Sequence, residues 1–166
     1  MVLGGACQTE YRLRMQIVES GRWVRIAQWV LAVLLPVFVV VGRGLVGAEL
    51  GWMAVVGVVY GAPLILLLLL PPLATLFDRS AKAARGVRRH YLNACWVQWG
   101  GLLLAGLTIP DSGDSGHLRS ALSCWTGLSY EASEVLFYAA MATAVIGWAF
   151  SLAAAGSGAF LSRKEA

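Results

Sequence analysis

Charged residues are scarce in this chain. Asp, Glu, Lys and Arg make up 13% of its 166 residues, hydrophobic residues make up 58%, and the mean hydropathy is +0.70. An ordinary soluble domain carries about 25% charged residues. The composition therefore excludes an ordinary soluble domain and indicates an integral membrane protein.

Charge is nearly absent from four long apolar stretches, residues 24–41, 50–70, 91–110 and 135–161, in which Arg25 is the only charged residue. Each is close to the ~20 apolar residues that cross about 30 Å of hydrocarbon. A chain of this length with four such segments has no room for a separate globular domain. The sequence predicts one membrane domain, residues 1–166, folded as an all-α bundle of four transmembrane helices.

The basic residues lie almost entirely on one side of the membrane that these four crossings imply. Only Arg43 and Arg119 fall on the other side. Positive charge marks cytoplasmic segments, so both termini are predicted in the cytoplasm. The tail (residues 1–21) and the loop 73–90 then lie inside, and the loop 111–134 lies outside. The preference for Arg over Lys and the single Asn suggest a GC-rich bacterial genome, which predicts a multi-pass protein of the bacterial cytoplasmic membrane.

No Asp, Glu, Lys or His occurs inside the four apolar stretches. Ion-coupled transporters, pumps and voltage sensors keep ionisable groups within the membrane despite their cost. This absence disfavours coupled transport. The strongly polar side chains at depth are Gln28, Asn93, Gln98, Thr108 and Thr143.

Motifs for cofactors and nucleic acids are also missing. The sequence has no glycine-rich phosphate loop, zinc motif or dinucleotide fingerprint. Its two histidines, His90 and His117, are predicted on opposite membrane faces and cannot share a haem. The predicted topology separates Cys124 from Cys7 and Cys95, so no disulfide is expected. Because these motifs are missing, we expect no cofactor and no enzymatic activity. We also expect no nucleic-acid partner, because the basic residues lie where they meet lipid headgroups.

The loop 111–134 carries the most suggestive polar residues. Asp111, Asp114 and His117 have a spacing that can place carboxylates and an imidazole around a divalent cation. Ser112, His117 and Asp114 also resemble the residue types of a catalytic triad, but no nucleophile elbow accompanies them. The favoured alternative is a turn in which Asp114 or Ser115 caps a helix that begins near His117.

That helix is predicted to be short and to lie on the outer membrane interface. Leu118, Leu122 and Trp125 recur at i, i+4 and i+7, the spacing of one helical face. Most of the seven tryptophans fall near span ends, as is typical of interfacial indoles. Trp99 and Trp148 lie deeper and can line a groove for lipid or quinone.

The cytoplasmic segments are predicted to be helical as well. Residues 9–18 have the spacing of a short amphipathic helix, with a frayed tail as the alternative. Pro71-Pro72 is expected to end or bend the second span. The segment 73–90 is then predicted to be a helical extension whose basic residues meet lipid phosphates: Arg79, Lys82, Arg85, Arg88 and Arg89.

Small residues mark the predicted helix contacts. The second span has the GxxxG pair Gly57 and Gly61. The third has Gly100, Gly101, Ala105 and Gly106, and the fourth has a series at intervals of four: Ala139, Thr143, Gly147, Ser151 and Ala155. In lipid, helices associate largely through close backbone approach at such residues. These positions are predicted either to pack the bundle itself or to dock another protein.

Together these features predict a non-catalytic accessory or scaffold subunit of a larger membrane complex, respiratory or envelope, with other integral membrane subunits and anionic lipids as partners. The alternative is a small oligomeric transporter or channel lined by Gln28, Asn93, Gln98 and Thr143. A membrane enzyme that uses the outer Asp/His loop is the least favoured hypothesis.

Overall fold

The computed structural model describes residues 17–18, 21–83, 86–114 and 116–164, and this part of the chain is mostly helical. In chain order, the helices are α1 (Gly21–Val40), α2 (Trp52–Thr75), α3 (Arg79–Ala83), α4 (Arg89–Thr108), α5 (Ala121–Thr126) and α6 (Tyr130–Lys164). A 3-10 helix, Gly42–Val46, lies between α1 and α2.

Two short antiparallel strand pairs mark opposite ends of the helices. β1 (Ile17–Val18) pairs with β2 (Val87–Arg88), and we call this the termini end. β3 (Asp111–Gly113) pairs with β4 (Gly116–Leu118), and we call this the hairpin end. Residues 17 and 18 therefore form a strand, not the end of the amphipathic helix predicted for residues 9–18. The rest of that prediction lies outside the described residues.

Three of the long helices are apolar and long enough to cross a membrane: Trp23–Val40, Trp52–Thr75 and Tyr130–Leu161. They indicate a membrane protein. The fourth long helix, α4, does not reach that hydropathy, because Asn93, Gln98 and several glycines dilute its apolar residues. It is instead the most enclosed helix, with ten of its 20 residues buried.

Helix α4 packs against α6 along its whole length, and the two helices run antiparallel. At the termini end, a Cβ on Gly158 would clash with Asp78 and lie 2.9 Å from Nε of Arg88, the residue just before α4. At the hairpin end, Ser133 Oγ donates to the carbonyl of Thr108 at 3.0 Å. Between these contacts, a Cβ on Gly101 would lie 2.7 Å from the backbone nitrogen of Ala144.

The other helices complete the bundle around α4. Tyr91 of α4 donates its hydroxyl hydrogen to Gln28 Oε1 of α1 at 2.8 Å. Helix α2 approaches α1 where a Cβ on Gly57 would lie 2.8 Å from the side chain of Val40. Buried apolar residues from α1, α2, α4 and α6, among them Leu35 and Leu68, form one shared core.

A proline inside α2 explains the position of Trp148. Pro71 has no N–H, so the carbonyl of Leu67 loses its usual partner four residues later. Trp148 Nε1 of α6 donates to that carbonyl at 3.0 Å. Away from water an unpaired carbonyl is costly, so this contact both satisfies α2 and joins it to α6.

Pro71-Pro72 does not end the second span, because α2 continues through both prolines to Thr75, and a bend at this point stays a prediction. The predicted helical extension 73–90 is interrupted: residues 73–75 end α2, residues 79–83 form α3, residues 87–88 form β2 and residues 89–90 begin α4. Asp78 accounts for this break. Its Oδ1 accepts the backbone N–H of Ala81 at 3.1 Å, the hydrogen bond of a helix N-cap, so a new helix starts there.

Candidate functional site

The hairpin end is organised around the carboxylate of Asp111. This residue follows α4 and opens β3. Its two oxygens accept the backbone N–H groups of Gly51 at 2.8 Å, Met53 at 3.0 Å and Ser112 at 2.8 Å. Gly51 is the N-cap residue of α2 and Met53 lies in its first turn, where the amides have no partner within the helix. Asp111 therefore caps α2 from a segment about 60 residues away in sequence.

The fourth donor to Asp111 is Nη2 of Arg43, from the 3-10 helix. Both residues are almost fully buried, with 0% and 2% of their surface exposed. Nε and Nη1 of Arg43 have no hydrogen-bond partner among the described residues. The buried guanidinium is thus balanced by a single carboxylate.

Two further properties follow from this arrangement. Burial by itself would raise the pKa of Asp111. The donors from Met53, Gly51, Arg43 and Ser112 outweigh burial and lower the pKa below its ordinary value. Close approach also requires glycine at position 51, because a Cβ there would lie 2.6 Å from Asp111 Oδ1 and still closer to the carbonyl of Ser112.

The proposed cation ligands do not converge. Asp111 is occupied by Arg43, and Asp114 Oδ1 accepts from Trp52 Nε1 at 3.2 Å. The His117 ring instead stacks on Tyr130, with ring centroids 4.1 Å apart. Among the described residues, no three His, Cys, Asp or Glu side chains group closely enough to hold a metal ion.

The residues of the imagined catalytic set are placed by the hairpin. Ser112 and His117 face each other across β3 and β4, one turn away from Asp114. The backbone N–H of Ser112 donates to Asp111. Strand pairing in the hairpin is therefore sufficient to explain why Ser112 and His117 are close, and their proximity does not indicate a catalytic triad.

The predicted interfacial helix in this region begins later than expected. Leu118 lies in β4, while Leu122 and Trp125 lie in α5. Ser120 caps α5 by accepting the backbone N–H of Ser123 at 3.1 Å, so Asp114 does not have that role, and Ser115 lies outside the described residues. The indole of Trp125 is 58% exposed.

A chain of hydrogen-bonded hydroxyls lies at α5, and no pattern in the sequence predicts it. Ser120 Oγ lies 2.9 Å from Ser123 Oγ and 2.8 Å from Ser133 Oγ, and Ser133 Oγ donates to the carbonyl of Thr108. All three serines are buried. The chain joins α4, α5 and α6 at the hairpin end. Its members are up to 25 residues apart, so no local motif reveals it.

These serines line a cavity of about 170 Å³, together with His117, Arg119, Leu128 and Tyr130. A void of this size can hold a molecule about as large as benzene. The cavity between α1, α2 and α4 measures only about 10 Å³. The hairpin-end cavity is therefore the better candidate for a ligand site.

The polar residues proposed to line a transport pathway are not assembled into one. Gln28 is buried and bonded to Tyr91, and Gln98 is buried and accepts from Ser151 Oγ at 3.3 Å. Asn93 and Thr143 are exposed on the outside of their helices. The small cavity beside Gln28 and Gln98 has room for about one water molecule.

At the termini end, the five bases predicted to meet lipid divide into groups. Arg79, Lys82 and Arg89 are exposed, and Arg85 lies outside the described residues. Arg88 differs from the expectation because it is buried and its Nε donates to Asp78 Oδ2 at 2.8 Å. A buried carboxylate beside α4 requires a cation, and Arg88 is the residue that reaches it.

The small residues predicted to form a contact face on α6 are partly buried and partly exposed. Gly147, Ser151 and Ala155 of α6 are buried, whereas Ala139 and Thr143 are exposed. The buried face of α6 instead continues through Ala140 and Ala144. The intervals along this face are 4, 3, 4 and 4 residues, so it follows the helical repeat more closely than strict intervals of four.

Two glycines proposed as contact points are open. A Cβ on Gly61 or Gly100 would meet no atom within 4 Å. By contrast, the neighbouring Gly101 is pressed against the backbone of α6. Gly100 is therefore not required for packing within the chain.

No family model, curated protein or solved structure matches this chain.

Proposed function

We propose that this chain crosses the bacterial cytoplasmic membrane four times, with α4 as the additional crossing. Helix α4 contacts α6 from Gly158 at one end to Ser133 at the other, and α6 is itself long and apolar enough to cross. Twenty residues at 1.5 Å each give α4 a length of about 30 Å. Its polar side chains Gln98 and Tyr91 are bonded to neighbouring helices, which supports a place inside the membrane despite its modest hydropathy.

The termini end is proposed to face the cytoplasm. The unequal distribution of basic residues supports this orientation, because cytoplasmic segments are enriched in them. In addition, Arg43 is neutralised by Asp111, so the hairpin end has less free positive charge. Arg79, Lys82 and Arg89 are exposed at the termini end, where anionic headgroups would meet them.

Within the membrane, the proposed role is that of a non-catalytic accessory or scaffold subunit of a larger complex. The observation that carries this role is the outward face of α4. Asn93, Trp96 and Gly100 recur at i, i+3 and i+7 and are all exposed. A glycine permits close approach of a second helix, and an amide can bond across the contact. This face is suited to a helix from another subunit.

Substitutions of the adjacent glycines Gly100 and Gly101 test whether this face of α4 is an interface. Gly100→Leu should leave the stability of the isolated protein nearly unchanged, because its Cβ direction is empty. It should abolish copurification of a stoichiometric membrane partner. Gly101→Leu is the matched control, and it should lower the stability of the protein itself by about 1–3 kcal/mol through overpacking.

Affinity purification from native membranes with mass spectrometry, together with thermal unfolding in detergent, measures both effects. Retention of the partner by Gly100→Leu would exclude the α4 face as the interface. A homo-oligomer with no other stoichiometric subunit would favour the transporter or channel instead.

A further inference from the structure

The hydroxyl chain at the hairpin end has only one possible direction of donation. The Thr108 carbonyl can only accept, so the single hydroxyl hydrogen of Ser133 is used there. Ser120 must then donate to Ser133, and Ser123 must donate to Ser120. All three hydroxyl hydrogens are consumed.

What remains on these serines is acceptor capacity. Ser120 Oγ already accepts from the hydroxyl and the backbone N–H of Ser123. Ser133 Oγ accepts once and keeps one lone pair, and Ser123 Oγ keeps two. The serine wall of the 170 Å³ cavity therefore offers acceptors and no donors. An anion would find no hydrogen bond there.

The rest of the cavity complements a small hydroxylated group. The stacked rings of His117 and Tyr130 and the side chain of Leu128 supply flat or apolar walls. Arg119 lines the same cavity, and one of its five N–H groups donates to the backbone carbonyl of Ser123 at 3.2 Å. The guanidinium has further N–H groups with which to donate to a ligand oxygen.

We propose that the cavity at the hairpin end binds a polyol group, whose hydroxyls donate to Ser123 and Ser133 while its oxygens accept from Arg119. The polyol can be a free molecule or the glycerol headgroup of a phospholipid. In the second case the phosphodiester would lie beside Arg119.

The two histidines of the chain allow a direct test on the unaltered protein. His117 lines the cavity, and His90 lies in the first turn of α4 at the opposite end. The protein is labelled on histidine and observed by NMR in detergent at constant pH. Glycerol should produce a saturable shift of the His117 ring signals and leave His90 unchanged. 1,2,3-Trimethoxypropane has the same skeleton without a hydroxyl donor and should have no such effect.

Variants locate the effect at the serine wall. Ser123→Ala should weaken the glycerol response roughly tenfold, as expected for the loss of one hydrogen bond. Ser112→Ala, at an exposed position of β3 that does not line the cavity, should leave the response unchanged. If Ser123→Ala does not fold, Leu128→Trp fills the cavity from its apolar side and should abolish the response.

Nanodiscs distinguish the two sources of polyol. A His117 shift in phosphatidylglycerol but not in phosphatidylcholine, without free glycerol, would identify a lipid headgroup. A response to free glycerol alone would identify a soluble polyol, and either result supports the site. Equal responses to glycerol and its trimethyl ether, or no saturable response to glycerol or phosphatidylglycerol, would overturn the proposal.

Discussion

At the scale of single residues, charges and carbonyls removed from water are paired over long distances in sequence. Arg43 and Asp111 are 68 positions apart, and Trp148 lies 81 positions from the Leu67 carbonyl that it satisfies. Asp111 also accepts the free N–H groups at the start of α2, and Trp148 donates to a carbonyl that lacks a partner because Pro71 has no N–H. Such contacts fix the positions of neighbouring helices relative to one another along their axes.

We predict that Asp111→Asn is strongly destabilising. Asn can still accept from the first turn of α2, but it leaves the guanidinium of Arg43 buried without a counter-charge. Breaking a buried ion pair in this way costs roughly 3–5 kcal/mol. The measurement is unfolding in detergent followed by circular dichroism.

Asp114→Asn is the control for that substitution. An amide oxygen can still accept from Trp52 Nε1, and Asp114 is exposed, so its replacement should change stability by less than about 0.5 kcal/mol. Equal losses for the two variants would show that the Arg43–Asp111 pair does not stabilise the fold.

The contact between Trp148 and Leu67 predicts a coupling with Pro71. Trp148→Phe removes the indole N–H and should cost about 1–3 kcal/mol, because the Leu67 carbonyl is left unpaired. Pro71→Ala restores a backbone N–H four residues after Leu67. In that background Trp148→Phe should cost much less.

A double-mutant cycle on unfolding free energies measures this coupling. Additive effects of the two substitutions would contradict the role assigned to the proline. The cycle is informative even if Pro71→Ala changes stability by itself, because only the difference between the two tryptophan effects is compared.

At the scale of helices, close contact between α4 and α6 depends on residues without bulk. A Cβ on Gly147 would lie 2.6 Å from the backbone nitrogen of Gln98. Gly147→Leu should therefore force the two helices apart and cost about 1–3 kcal/mol or more. Val145→Leu lies on the exposed face and should be mild. Equal thermal stability of the two variants in detergent would contradict this contact.

The sequence predicted the long helices well because apolar runs of membrane-spanning length leave few alternatives. Residues 24–41 and 135–161 fall within α1 and α6 apart from one residue, Val41. The break after α2 was less predictable. It depends on Asp78 as an N-cap and on Arg88 as its buried partner, and neither role is visible in a run of basic residues.

The candidate site was predicted only in its position. The sequence singles out the loop 111–134, but the short spacing of its Asp and His residues predicts that they share one site. The folded chain instead pairs Asp111 with Arg43 and His117 with Tyr130. The hydroxyl chain arises from residues on three different helical segments and becomes visible only once they meet.

At the scale of the whole molecule, the two ends of the helices have different chemistry. The termini end has exposed bases beside the buried ion pair Asp78–Arg88. The hairpin end has a buried ion pair, the chain of serine hydroxyls and the 170 Å³ cavity. The proposed topology assigns the first end to anionic headgroups and the second to the external medium.

That topology predicts which positions an external reagent can reach. Cys124 is an exposed free thiol at the hairpin end, and Cys95 is buried in α4. In a Cys7→Ser background, a membrane-impermeant maleimide should label Cys124 in intact cells. Lys82→Cys and Lys164→Cys, made in the same background with Cys124→Ser, should label only after the membrane is permeabilised. Lys82 precedes α4 and Cys124 follows it, so labelling of both from outside would show that α4 does not cross. Labelling of Lys164→Cys from outside would show that α6 does not end in the cytoplasm.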